Sequence, residues 1–277
     1  MPDTFEYSTS LTRGAAFFTA IGLAAAIYVS GVGEQTDMPA IAKAFMILWL
    51  IVSLGATLAL TPRNFLLGYL TGLFALLVGW RIAAIYDVGL ISYPLLGAFV
   101  SFVLQFFECA RNDLSSKRGG PNAAGVRLSV AEWHVTFIRL YVGLDLVPHF
   151  TEKLFAGSGP HMDDVVAFER LGVAAPDLMV WLAGLCELGA AIGLGLGLFT
   201  RLAAIGAALY VLIATVMGNH FFLGFIWAAS GGGWEYPVMW TVLLLSFAFA
   251  GAGRFSLDHL ILQNARPPRF LQWAMVR

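Results

Sequence analysis

The chain has 277 residues, of which 59% are hydrophobic and only 12% charged, and its net charge is −1. A soluble domain would carry about twice that charged fraction, and the near-neutral balance gives no reason to expect nucleic acid as a partner. The apolar residues come in runs of the roughly 20 residues that a transmembrane helix needs, and the alternating strands of a β-barrel are missing. The expected class is therefore an all-α integral membrane protein in contact with the lipid bilayer.

No cleavable leader is expected, because the first 13 residues are polar and the apolar run from Gly14 leads straight into further spans. In chain order the spans are expected at 14–32, 40–60, 64–85, 90–109, 132–152, 178–199, 201–222 and 236–252, about eight in all. Tight turns fall at Thr61-Pro62-Arg63 and Thr200-Arg201. The segment 111–131 is a polar linker that contains Gly119-Gly120-Pro121. It ends in a capping box, Ser129 with Glu132, that starts the fifth span. On one side of the membrane lie Arg13, Arg63, Arg111, Lys117, Arg118, Arg127, Arg201, Arg254, Arg266, Arg269 and Arg277; the other holds only Lys43, Arg81, Lys153 and Arg170. The positive-inside rule then puts both termini in the cytoplasm. Between the fifth and sixth spans, Val165, Phe168 and Leu171 recur at helical spacing among acids and before Gly172, which predicts a short amphipathic helix over 162–171 on the outer face.

The two halves echo each other. Ser92-Tyr93-Pro94 answers Glu235-Tyr236-Pro237, and Ser53-Leu54-Gly55-Ala56 answers Glu187-Leu188-Gly189-Ala190. Gly79-Trp80-Arg81 falls near Gly218-Asn219-His220, and Ala24 and Tyr28 face Asp145 and His149. A parallel duplication of a four-helix unit is expected: a degenerate copy at 1–110, the linker at 111–131, a second membrane unit at 132–262 and a cytoplasmic tail at 263–277.

The ionisable residues of the apolar spans sit in the second copy. They are Asp145, His149, Lys153, Glu187, His220 and Glu235. An intramembrane ionisable group marks function by default. Asp145, His149 and Lys153 are four apart and would share one ridge of a continuous helix, with Arg139 about 40° away. By depth all six converge on the outer half of the bilayer, five of them around one cavity with Glu187 and Asp145 at its floor, while Arg139 lies nearer the inner side. Glu187 has no local structural explanation; it is either protonated or paired with Lys153, Arg139 or a histidine. Lys153 also reads as a snorkelling residue, Glu235 as a helix cap and His220 as a backbone-bonded end residue. Gly189, Gly193 and Gly197 form a small-residue stripe for helix packing. Trp133, Trp181, Trp227, Trp234 and Tyr236 read as an aromatic belt. Ser256 and Asp258 read as the capped start of a helix. Cys109 and Cys186 are expected to be reduced, Cys186 deep in a span.

Over residues 133–262 the chain resembles the DoxX/DoxD family. The resemblance rests on Arg139 with Gly143 and a closing Glu152-Lys153-Leu154; on Gly184-Leu185-Cys186-Glu187-Leu188 followed by Gly195-Leu196-Gly197-Leu198-Phe199-Thr200-Arg201; and on Gly233-Trp234-Glu235-Tyr236-Pro237 leading to Gly251-Ala252-Gly253-Arg254-Phe255-Ser256-Leu257-Asp258. His149 departs from the small residue expected before the lysine. The resemblance implies a four-helix membrane unit, a bacterial or archaeal cytoplasmic membrane and a redox setting linked to thiosulfate:quinone oxidoreduction, in which a second subunit absent from this chain takes part.

The leading expectation is therefore the membrane subunit of a quinone-linked oxidoreductase acting on a small sulfur compound. Quinone is the cofactor, and no covalently bound group is expected. Glu187, His149 and Asp145 are the expected catalytic acids and bases; Lys153, Arg139, His220 and Glu235 are expected to bind substrate. A partner redox subunit or a homo-oligomer is expected. The alternatives are a non-catalytic anchor of a redox complex, and a transporter, disfavoured for want of broken helices or a polar path to the inner side. A metal site built from His149, His220, Glu187 and Glu235 is not expected, because no single helix supplies a paired ligand motif.

Overall fold

The computed structural model describes residues 5–32, 37–115 and 128–275. Lys117, Arg118, Arg127, Arg277 and the linker glycines Gly119 and Gly120 with Pro121 lie outside the described residues. Among those described there are helices and no strands. The elements are α1 (Thr9–Val32), α2 (Ala40–Gly55), α3 (Phe65–Ile85), α4 (Gly89–Ser115), α5 (Val130–Leu144), α6 (Val147–Leu154), α7 (Ser158–Arg170), α8 (Pro176–Ala190), α9 (Thr200–Met217), α10 (Glu235–Ala250), α11 (Leu257–Asn264) and α12 (Arg269–Ala274). Among the described residues six helical stretches are long and apolar enough to cross a membrane: Thr9–Val32, Ala40–Leu60, Phe65–Ile85, Gly89–Ser115, Pro176–Leu196 and Thr200–Met217. Glu235–Ala250 is a shorter apolar helix. The protein is thus a multi-pass helical membrane protein.

The chain forms two compact units, Met1–His134 with Leu154–Ser158, and Val135–Lys153 with Gly159–Arg277. In the first unit α1 runs against α4 and α2 against α3. In the second, α9 packs on α10 and α8, over a core of Val142, Ala190, Leu194, Ala204, Ala208, Leu244 and Phe247.

Both α2 and α8 end in a π-helical turn, at Ala56–Leu60 and Ala191–Leu196. Each turn precedes the threonine–arginine corner seen in the sequence. In the first unit Ser53, buried just before the π turn, donates to the Gly72 carbonyl of α3 at 2.8 Å. The capping box forms as expected: Glu132 accepts from Ser129 N at 2.8 Å, and Glu132 N donates to Ser129 Oγ at 3.2 Å.

Four expectations are corrected. The fifth span is not one helix: it breaks at Asp145-Leu146 between α5 and α6. Pro148 has no N–H to return to Leu144, and its ring crowds the carbonyl one turn back, which weakens the ladder at this point. Asp145, His149 and Lys153 therefore do not share one uninterrupted ridge. The seventh span ends at Met217, not 222, and His220 lies in the turns that follow. The outer amphipathic helix starts at Ser158, four residues before the expected start. Trp133 belongs to no aromatic belt: it is buried, its ring meets Phe5 and Phe106, and its Nε1 donates to Asp113 Oδ2 at 2.9 Å.

Candidate functional site

The second unit carries an open-sided cavity of about 600 Å³ along α8, α9 and α10. One end is apolar, with Leu198, Phe199 and Leu202; the other carries Asp145, His149, Glu187, Tyr210, Thr215 and His220. From Leu202 to Thr215 on α9 the cavity is about 20 Å long, at 1.5 Å per residue. It exists because the helices carry small residues where they face it. A Cβ built on Gly189 or Gly206 would meet nothing within 4 Å, and both glycines line the space. The expected glycine stripe thus divides. Gly193 packs, its Cβ position lying 2.1 Å from Ala203 Cβ; Gly197, in the left-handed region at φ 70°, lies against Ser256 and Arg139; Gly189 serves the cavity instead.

Behind the polar end lies a chain of ionisable groups. Tyr210 donates its hydroxyl proton to Glu187 Oε1 at 2.6 Å. Lys153 Nζ lies 3.2 Å from Glu187 Oε2 and 3.7 Å from Asp164 Oδ2, and it donates to the His149 carbonyl at 3.1 Å. Glu187 and Lys153 are both buried; the Asp164 side chain is 27% exposed. Burial pushes the Asp164 carboxyl above the ordinary aspartate range, against the opposing pull of Lys153. Helix α7 is tied over this group by His161, whose ring nitrogens lie 2.8 Å from the Lys153 carbonyl and 2.9 Å from Asp177 Oδ1. Glu187 is therefore paired with Lys153, one of the partners considered from sequence, and Lys153 does not snorkel. Tyr210, Asp164 and His161 were missed. Asp164 reads in sequence as the wet face of an amphipathic helix, and Tyr210 as one more aromatic in an apolar run.

The remaining expected residues separate. Asp145, half-buried in the break, lines the cavity, as does the exposed His149. His220 also lines it; its Nδ1 donates to the Gly232 carbonyl at 2.9 Å, which leaves Nε2 as the acceptor of the neutral ring. Trp240, 9% exposed, lines the cavity with no hydrogen-bond partner on Nε1. Glu235 is not among the lining residues: it is exposed in the first turn of α10 and accepts from Trp227 N of the preceding turns at 3.2 Å, and no side chain caps the first N–H groups of α10. Cys186 is exposed and lines the cavity rather than being buried, while Cys109 is buried; both are free.

Arg139, expected to hold a substrate, is removed from the cavity. It is fully buried and donates to the backbone carbonyls of Leu194, Gly195 (3.1 Å) and Phe255 (2.6 Å). Gly143, one turn on, has its Cβ position 2.0 Å from Gly195 N, so the two backbones touch. Asp258 completes this lock, accepting from Phe199 N at 2.7 Å and Thr200 N at 3.0 Å, while Ser256 caps α11 through His259 N at 3.2 Å. Asp258→Ala frees the two donors and is expected to cost about 1–2 kcal/mol, as lost helix caps do, read as a lowered thermal midpoint in detergent.

These elements define a helical membrane unit with an apolar cavity that ends at a buried ion pair. Residues 134–220 match the family model of DoxX. An uncharacterized protein of Haemophilus influenzae is 29% identical over 132 residues, which is 46% of this chain and 90% of that protein. No solved structure matches. The DoxX match runs from within α5 to just past α9 and contains the Glu187–Lys153 pair and Arg139 with its Leu194 and Gly195 acceptors, while Phe255 and Asp258 lie beyond it.

Proposed function

We propose that this protein is the membrane subunit of a quinone-linked oxidoreductase and that the second unit binds the quinone. The carrying observation is the cavity: long, apolar along its length and polar at one end. Such a space suits a molecule with an isoprenoid body and a small hydrogen-bonding head, and its volume falls within the several hundred Å³ usual for ligand sites. In this reading Trp240 Nε1 supplies a donor to a quinone carbonyl, and Glu187, with Tyr210, exchanges its protons. Asp145, His149 and His220 line the same end as further acid–base groups.

The lining residues include no lysine or arginine, and the two buried cations once expected to hold an anion are engaged elsewhere. A dianion such as thiosulfate is poorly served here. The sulfur chemistry that the family suggests, and the electron acceptor, belong in this reading to a partner subunit. Among the described residues no group of three or more His, Cys, Asp or Glu could hold a metal ion.

The same proposal includes eight crossings, with α5–α6 and α10 completing the six long spans, both termini in the cytoplasm, and a bacterial or archaeal inner membrane. It includes a duplicated four-helix unit, the first copy keeping the packing without the site. The paired π turns support the duplication, as does a relative about as long as one unit. The break at Asp145 removes one argument against transport, but the other stands, because the end of the cavity by Leu198 and Leu202 is apolar.

The test is binding of decylubiquinone to the purified chain in lipid nanodiscs, followed by tryptophan fluorescence quenching. Gly189→Leu, which projects into open space, is expected to weaken binding at least ten-fold and to leave the thermal midpoint unchanged. Absence of binding by the unmodified protein, or full binding by the variant, sinks the assignment.

A further inference from the structure

Glu187 meets the cavity on one side and Lys153 on the other, and Lys153 in turn meets Asp164, the member of the group with the most exposed side chain. We propose that Tyr210, Glu187, Lys153 and Asp164 form a proton path between the cavity and the aqueous face on which α7 lies. It rests on the quinone reading only for the source of the proton. The links are 2.6, 3.2 and 3.7 Å, so each is at or within a small side-chain movement of hydrogen-bond distance.

Tyr210 passes its hydroxyl proton to Glu187 and takes one in its place from a hydroxyl in the cavity. Lys153 passes one of its ammonium protons to Asp164 and takes the Glu187 proton in its place. Asp164 then releases its proton to water. One proton has moved outward, every group has returned to its starting state, and no electron is involved. An arrangement that served only to neutralise Lys153 needs one carboxylate; the second, on a separate helix at the wet end, is what a relay adds. Apart from Lys153 itself, neither the Lys153-facing oxygen of Glu187 nor that of Asp164 has a hydrogen-bond partner, so nothing competes with the ammonium for them. Other charged groups bear on Asp164: Glu152 of α6 raises its proton affinity and His161 of α7 lowers it, His161 being held in turn by Asp177 of α8.

The experiment is infrared pH-jump spectroscopy of the full chain in lipid nanodiscs. It follows the carboxyl band that Glu187→Gln removes, each variant jumped across its own midpoint. Asp164→Asn is expected to slow Glu187 protonation at least ten-fold, Asp164→Glu to restore it, and Asp163→Asn, one residue away and exposed, to leave it unchanged. Equal rates with and without the Asp164 carboxyl would mean that protons enter through the cavity, and the path falls. A band absent from the unmodified protein likewise removes Glu187 from any relay. Decylubiquinone binding is measured on the same samples, and its absence overturns the quinone reading while the pH-jump rates still decide the path.

Discussion

Lys153→Met is expected to destabilise the protein by about 3–5 kcal/mol, the usual cost of removing one partner from a buried ion pair. Lys153 is the cation beside both Glu187 and Asp164, and it and Glu187 are each less than 10% exposed. Without it two carboxylates share a site of low polarity, and one of them must take up a proton or the helices must part to admit water. The energy resides in the isolated charge rather than in the pair. Lys153→Met with Glu187→Gln is therefore expected to recover more than half of the loss, Asp164 being wet enough to keep its charge. Thermal midpoints of the two single variants and the double, in one detergent, give the coupling. Additive losses would mean that Lys153 and Glu187 do not form a pair in the membrane protein. The same cycle bears on function, since the double variant restores packing but has no relay.

The parts of this fold legible in sequence are those set by local chemistry. Uniform apolar runs bounded by Thr61-Pro62-Arg63 or by Thr200-Arg201 give spans close to those observed, because length and hydropathy alone determine a crossing helix. The capping box at Ser129 was equally local. The fifth span was misread although its signal was present: Pro148 interrupts the ladder, yet the run of apolar residues on both sides makes one crossing look continuous. That break takes Asp145 off the ridge shared by His149 and Lys153. The pairing of Glu187 was bounded but not decided by sequence, since a mid-span carboxylate needs a partner and three were in reach. Tyr210 and Asp164 carried no local signal, because a hydrogen bond between α8 and α9, or an ion pair between α6 and α7, depends on how helices register against each other. The glycine stripe shows the same limit. Spacing put Gly189, Gly193 and Gly197 on one face, but only packing separates the glycine that lines a cavity from the two that close a contact.

The Arg139 side chain provides the sharpest contrast between the two readings, because each predicts a different result. As a substrate-binding cation it would be replaceable in the empty protein, and its loss would appear in affinity. As the donor to three buried carbonyls it is part of the fold. Arg139→Leu leaves Leu194, Gly195 and Phe255 without that donor, in a setting with no water to replace it. At about 1–3 kcal/mol for each unsatisfied group, the loss is expected to reach about 4 kcal/mol or more. Arg139→Lys keeps the charge but not the planar fork that reaches carbonyls of separate segments, and it is expected to recover less than half. Gly143→Ala provides an independent check on the same contact: its methyl group would sit 2.0 Å from Gly195 N, backbone against backbone, so α5 must withdraw and the Arg139 bonds lengthen together. The measurement is a thermal midpoint for each variant, with decylubiquinone affinity taken on the folded fraction. Lower stability with unchanged affinity assigns Arg139 to the lock; a Lys variant as stable as the unmodified protein, or an affinity loss without a stability loss, would return it to the site.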